Sequence, residues 1–146
     1  MVPVAPLAQV TDGKTGRQLI SDALSAIAVN PDGGTGLYDA TLAAVRQLRA
    51  QWDPNKVNTV LLLSDGQNDD LGSIDLADLI QTLKTENDPA RPVPVVAVAF
   101  GPDSDVDAMR QISQATNGAT YVAKDPREIG EIFLDTVGQR LCRPNC

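Results

Sequence analysis

Two nearly continuous apolar runs of strand length, Val57 to Leu63 and Pro92 to Phe100, constrain this chain more than any other feature. A strand with one wet face alternates apolar and polar residues. These runs stay apolar at successive positions, as strands covered on both faces do. Between them lies a helix-period stretch with Leu76, Leu79, Ile80 and Leu83 on one side, which Ser73 is placed to cap. Strand, helix, strand in that order is the unit of a parallel sheet.

The flanking sequence extends the alternation. Val2 to Ala8 suggests a short strand, and Pro3 and Pro6 place it at an edge because proline has no N–H for a central ladder. A loop over Thr11–Gly16 leads to a helix with Leu19, Ile20, Ala23, Leu24 and Ile27 on one face. The turn-rich stretch Asn30 to Gly36 precedes a second helix carrying Leu37, Thr41, Ala44, Val45, Leu48 and Trp52. Asp103 or Ser104 opens a further helix with Val106, Met109 and Ile112, and Asn117-Gly118 ends it before a strand over Ala119–Ala123. The last helix has the strongest start signal: Asp125 at the N-cap, Pro126 at the first helical position and Glu128 three residues after the cap. Its buried stripe is predicted to be Ile129, Ile132, Phe133, Val137 and Leu141. The expectation is one α/β domain over residues 1–146, a Rossmann-like three-layer sandwich with a mostly parallel sheet and helices on both faces. Aromatics make up 3% of the chain, so the core has to be aliphatic.

The net charge of −7 argues against nucleic acid or an anionic membrane surface as a partner. No apolar run reaches the ~20 residues of a membrane helix, which speaks against membrane insertion. The N-terminus carries no basic residue before its short apolar stretch and does not read as a signal peptide. Histidine is absent, which removes Ser–His–Asp and Cys–His hydrolysis. Cys142 and Cys146, spaced C-R-P-N-C, are candidates for a small terminal disulfide, with free thiols as the alternative. A disulfide points to an oxidising compartment, and two thiolates without histidine fall short of a zinc site.

In an open α/β sheet, ligands bind beyond the carboxyl ends of the strands. Two polar segments fall at such loops: G-G-T-G, residues 33–36, and Ser64-Asp65-Gly66 directly after the first apolar run. The segment D-G-G-T-G-L-Y-D-A followed by N-T-V-L-L-L-S-D-G resembles two of the three metal-site segments of von Willebrand factor type A (vWA) domains. V-P-V-V-A-V-A-F-G is similar to that family's next strand, and G-A-T-Y-V-A-K-D-P-R-E-I to its last strand and final helix. The ordered set runs from Val2 to Leu141.

The resemblance implies a non-catalytic adhesion or protein-binding module with a metal ion-dependent adhesion site, which holds Mg²⁺ or Mn²⁺. The family's ligands are Asp-x-Ser-x-Ser, a Thr and an Asp, and the last two map onto Thr35 and Asp65, with Ser64 a weaker candidate. An acidic residue of a protein ligand completes the shell. Each residue also suits a plain structural role: Thr35 as an N-cap after a glycine turn, Asp65 in an Asx-turn closing the strand.

The sequence departs from the family where it matters most. Asp-x-Ser-x-Ser occurs nowhere in the chain. The family's first strand, helix and second strand, which form the middle of its 3-2-1-4-5-6 sheet, are also missing. The resemblance therefore implies a fold incomplete at its N-terminus, with metal binding weak or absent. It also implies a hydrophobic edge at Val57–Leu63, open to self-association. The compact loops and the cysteine pair fit an extracellular or cell-surface bacterial parent protein.

Three other readings compete for the same residues. Ser64-Asp65-Gly66-Gln67-Asn68-Asp69 resembles the metal loop of Mg²⁺-dependent haloacid dehalogenase-like phosphatases. Those enzymes need an upstream Asp-x-Asp, and here the pairs Asp103/Asp105 and Asp105/Asp107 lie downstream. A-Q-V-T-D-G-K-T, from Ala8 to Thr15, departs from a P-loop by an alanine at its first glycine, and Asp12 would face the phosphates. Asn68-Asp69-Asp70 suits either adventitious calcium or, more simply, solvated loop charge.

Overall fold

The computed structural model describes residues 7–27, 34–125 and 127–141, in two compact units divided after Gly33. In the first unit, β1 (Val10–Thr11) and β2 (Lys14–Thr15) pair antiparallel. Asp12 (φ 50°) and Gly13 (φ 78°) join them, both left-handed, as a two-residue hairpin turn requires. The loop predicted over Thr11–Gly16 is therefore a hairpin. Of the predicted strand at Val2–Ala8, residues 2–6 lie outside the described residues, and Leu7 and Ala8 are not in a strand.

α1 (Gly16–Ser25) starts with a reciprocal cap. The Gln18 N–H donates to Thr15 Oγ1 at 3.3 Å, and the Thr15 N–H donates to Gln18 Oε1 at 2.8 Å. Its apolar stripe exists but is not buried, with Leu24 and Ile27 64% and 66% exposed. A hairpin and one helix are too small to enclose a core of their own.

The second unit alternates helix and strand: α2 (Leu37–Ala50), β3 (Val60–Ser64), α3 (Leu76–Thr85), β4 (Val95–Phe100), α4 (Val106–Ala115), β5 (Ala119–Ala123) and α5 (Glu128–Leu141). Its sheet has the order β3-β4-β5, and both pairings are parallel. The register runs from Val60↔Val95 to Ser64↔Ala99 and from Val96↔Ala119 to Phe100↔Ala123. β4 is buried at successive positions from Val95 to Ala99, which explains its unbroken apolar sequence.

α2 packs on β3 and α4 packs on β4 and β5, while α3 bridges α2 and α4. Their shared core joins Val45, Leu62, Leu79, Leu83, Ala97, Met109 and Ile112. β3 has one ladder edge without a partner strand among the described residues, and Leu61 and Leu63 are 42% and 51% exposed there.

Helix starts differ slightly from the sequence prediction. Asp75, not Ser73, caps α3 by accepting from the Asp78 N–H at 2.8 Å. Asp105, not Asp103 or Ser104, caps α4 by accepting from the Ala108 N–H at 2.9 Å. In each case several cap-forming residues lie side by side, and the one whose side chain reaches the third N–H wins. α4 ends at Asn117 (φ 55°) and Gly118, as predicted. A Cβ on Gly118 would lie 1.7 Å from the Val95 carbonyl oxygen, so only glycine lets the turn approach β4.

α5 begins at Glu128, two residues later than the cap at Asp125 predicts, although both acidic residues bond the backbone there. Asp125 Oδ1 accepts from the Arg127 N–H at 2.8 Å, and Glu128 Oε2 accepts from the Lys124 N–H at 2.9 Å. The predicted buried stripe is only partly realised: Ile129 and Ile132 are half-buried and Phe133 is 48% exposed. Pro126, the side chains of Val137 and Leu141, and Cys142 and Cys146 lie outside the described residues.

Candidate functional site

The carboxyl ends of β3 and β4 bring together the loop after Ser64, the turn at Gly101 and the segment leading into α2. Glycines make this closeness possible. A Cβ on Gly34 would meet the Asp69 carbonyl oxygen and the Asp70 Cα at 3.0 Å, and one on Gly36 would meet Asp70 Oδ2 at 3.2 Å. Gly101 (φ 83°) turns the chain directly beside Asp65, whose Cβ would lie 4.0 Å from a Gly101 Cβ.

Hydrogen bonds then fasten the α2 entrance to the β3 loop. The Thr35 N–H donates to Asp69 Oδ1, and the Asp69 N–H donates to the Thr35 carbonyl at 3.2 Å. One turn on, the Tyr38 N–H donates to Asn68 Oδ1 at 3.1 Å. Asp70 Oδ1 accepts from the Gly72 N–H at 2.9 Å and shapes the rest of the loop. Asn68 and Asp69 are thus structural acceptors, where sequence reasoning made them solvated charge. The missed signal was glycine at both Gly34 and Gly36, which marks a close backbone approach.

The predicted ligand residues sort differently. Ser64 ends β3 and is buried, its hydroxyl donating to the Gly66 carbonyl at 3.2 Å and accepting from the Gly66 N–H at 3.3 Å. That local turn takes the place of the Asx-turn envisaged for Asp65. Asp65 is exposed, and its carboxylate accepts no hydrogen bond from another described residue. Thr35 is also exposed, and it does not cap α2. Gly36 holds that position with no side-chain bond. The Thr35 hydroxyl and the Asp65 carboxylate therefore stand uncommitted on a loop cluster that Asn68, Asp69, Asp70 and Ser64 hold together.

Tyr38 and Asp105 border the same end. Burial, and secondarily the Asp105 carboxylate, hold the Tyr38 phenol above its ordinary range, so it stays a neutral donor at physiological pH. Among the described residues, no group of three or more Asp, Glu, Cys or His could hold a metal ion.

Residues 3–135 match the model of the von Willebrand factor type A domain. The chain belongs to the vWA family. Its parallel three-stranded sheet and alternating helices are the Rossmann-like α/β fold that membership implies. vWA domains generally mediate protein–protein interactions, are mostly non-catalytic, commonly bind Mg²⁺ or Mn²⁺ and are often extracellular. No curated protein matches this vWA chain. Among its described residues, no helix is long and apolar enough to cross a membrane.

Proposed function

We propose that this vWA domain binds a protein partner through the carboxyl end of its sheet, with Thr35 and Asp65 as two ligands of a divalent-cation site. The observation that supports this reading is the sorting of side chains there. Asn68, Asp69 and Asp70 hold the loop, while the Thr35 hydroxyl and the Asp65 carboxylate, on segments at the same end of the sheet, make no bond to another described residue. Hard oxygen donors of this kind suit Mg²⁺ or Mn²⁺.

The donors fit such a cation in kind and fall short in number. Two side chains do not fill an octahedral shell, and Ser64 Oγ is occupied by Gly66. The chain alone therefore binds the cation weakly. The remaining ligands belong to an Asp-x-Ser-x-Ser segment that this sequence lacks, together with the strands that would cover the free β3 edge. Until that edge is covered, copies of the chain associate through it. The protein acts outside the cell or on a bacterial cell surface.

A phosphatase using Asp65 and Asn68 gains no support, because Asn68 Oδ1 already accepts from the Tyr38 N–H. Titration calorimetry with Mg²⁺ and Mn²⁺, run beside a generic phosphatase assay, separates the readings. Weak binding lost in Asp65→Asn, with no turnover, supports the interaction module. Turnover abolished by Asp65→Asn overturns it.

A further inference from the structure

Asn117-Gly118 is the only Asn-Gly pair in the sequence, and it forms the turn between α4 and β5. Asparagine before glycine is open to attack by the next backbone nitrogen, because glycine puts no side chain in the way. In that reaction the Gly118 nitrogen loses its proton and bonds to Asn117 Cγ. The Cγ–Nδ2 bond breaks and ammonia leaves, which closes a succinimide ring. Water opens the ring at either carbonyl and yields aspartate or isoaspartate.

The fold opposes the first step. The Gly118 N–H donates to the Ser113 carbonyl at 2.7 Å, and the Asn117 N–H donates to the Gln114 carbonyl at 3.2 Å. Attack requires the Gly118 nitrogen to give up its proton and turn towards Asn117 Cγ, and the bond to Ser113 resists both. Asn117 is held in the left-handed region at φ 55°. Gly118 lies so close to β4 that a Cβ there would sit 1.7 Å from the Val95 carbonyl oxygen. Thr116 fastens the preceding position, its Oγ1 accepting from the Val95 N–H at 2.9 Å. Asn117 itself is exposed, so water reaches it, and β5 begins to pair with β4 only two residues later, at Ala119 opposite Val96.

We propose that Asn117 is a deamidation site that the α4–β5 turn keeps closed: it reacts only when the turn opens, and the isoaspartate product keeps the turn open. Isoaspartate carries one more backbone carbon before Gly118. Neither the left-handed helix end nor the close approach to Val95 accommodates that longer backbone, so the start of β5 comes away from β4.

The full chain is incubated in mildly alkaline buffer, with and without urea above the unfolding midpoint. Peptide mapping by mass spectrometry follows residue 117, and isoaspartyl methyltransferase labelling counts the isoaspartate. Native protein is expected to react at least about tenfold more slowly than unfolded protein, as a turn that opens only locally and rarely requires. Thr116→Val removes the acceptor for the Val95 N–H, and should speed the native reaction severalfold while leaving the rate in urea unchanged. The purified isoaspartate form should show a lower urea midpoint than the parent. Asn117→Asp, whose backbone is normal and whose side chain tolerates the left-handed region, should stay close to the parent. Equal rates with and without urea overturn the proposal. So does an unchanged native rate in Thr116→Val, or a parental midpoint for the isoaspartate form.

Discussion

Thr35 and Asp69, 34 positions apart in sequence, hold each other by two hydrogen bonds. The Thr35 N–H reaches the Asp69 carboxylate, and the Asp69 N–H returns to the Thr35 carbonyl. The effect is to pin the Thr35 backbone while its hydroxyl remains free. Asp69→Ala removes the first of these bonds and should lower stability by about 1–2 kcal/mol, as loss of a charged acceptor does. It should also loosen the presentation of Thr35. Urea denaturation checks the first effect and amide hydrogen exchange at Thr35 the second.

The edge of β3 that has no partner strand among the described residues carries no proline or charge from Val60 to Ser64, so no residue of the strand itself resists pairing with another. Leu61→Lys combined with Leu63→Lys places two charges on exposed positions of that edge. Sedimentation velocity should show a concentration-dependent rise in mass for the parent chain and a monomer for the double variant, with thermal stability little changed.

Gly118 leaves no room for a side chain against the Val95 carbonyl oxygen. Gly118→Ala forces the α4–β5 turn away from β4 and should cost on the order of 3 kcal/mol. A urea midpoint reads this directly. A midpoint equal to that of the parent would mean that the turn yields without strain.

Acid should weaken the fold through Glu86. Hydrogen bonds from the Arg46 guanidinium hold the Glu86 carboxyl below its ordinary value of 4.5, with a smaller contribution from the charge of Arg49 at 3.8 Å. The folded value is the lower one, so the stabilisation is complete above the unfolded value. It disappears as the pH falls through 4.5 and below. Glu86→Gln should flatten this part of the acid limb in urea midpoints measured from pH 7 to pH 3. Because the pair is largely solvated, the change is small.

Much of the fold is legible in the sequence because burial and apolar pattern agree there. β4 is apolar at successive positions and buried at successive positions, and β5 falls on residues 119–123 as its flanking Asn117-Gly118 suggests. Asp125 and Glu128 mark the start of α5 because capping is local chemistry. The stripe of α5 is less legible: Phe133 fits the helical period, yet whether a face is covered depends on what packs against it. Asp12-Gly13 is a hairpin signal, but the two-residue strands beside it are too short to show an alternating pattern. At the candidate site, Thr35 and Asp65 were legible as residue types on loops at the right end of the sheet. The ties from Asn68 and Asp69 to the α2 entrance were not, because side-chain bonds between distant loops leave no periodicity.

The proposed cation position shared by Thr35 and Asp65 at the carboxyl end of the sheet is open to direct measurement. Substoichiometric Mn²⁺ added to the ¹⁵N-labelled chain tests it most directly, because paramagnetic broadening marks the nearest amides even when binding is weak. Broadening is expected to centre on Thr35 and on residues 64–66, to be abolished by Asp65→Asn and to be retained in Asp70→Asn. Broadening centred elsewhere, or unchanged in Asp65→Asn, would contradict it.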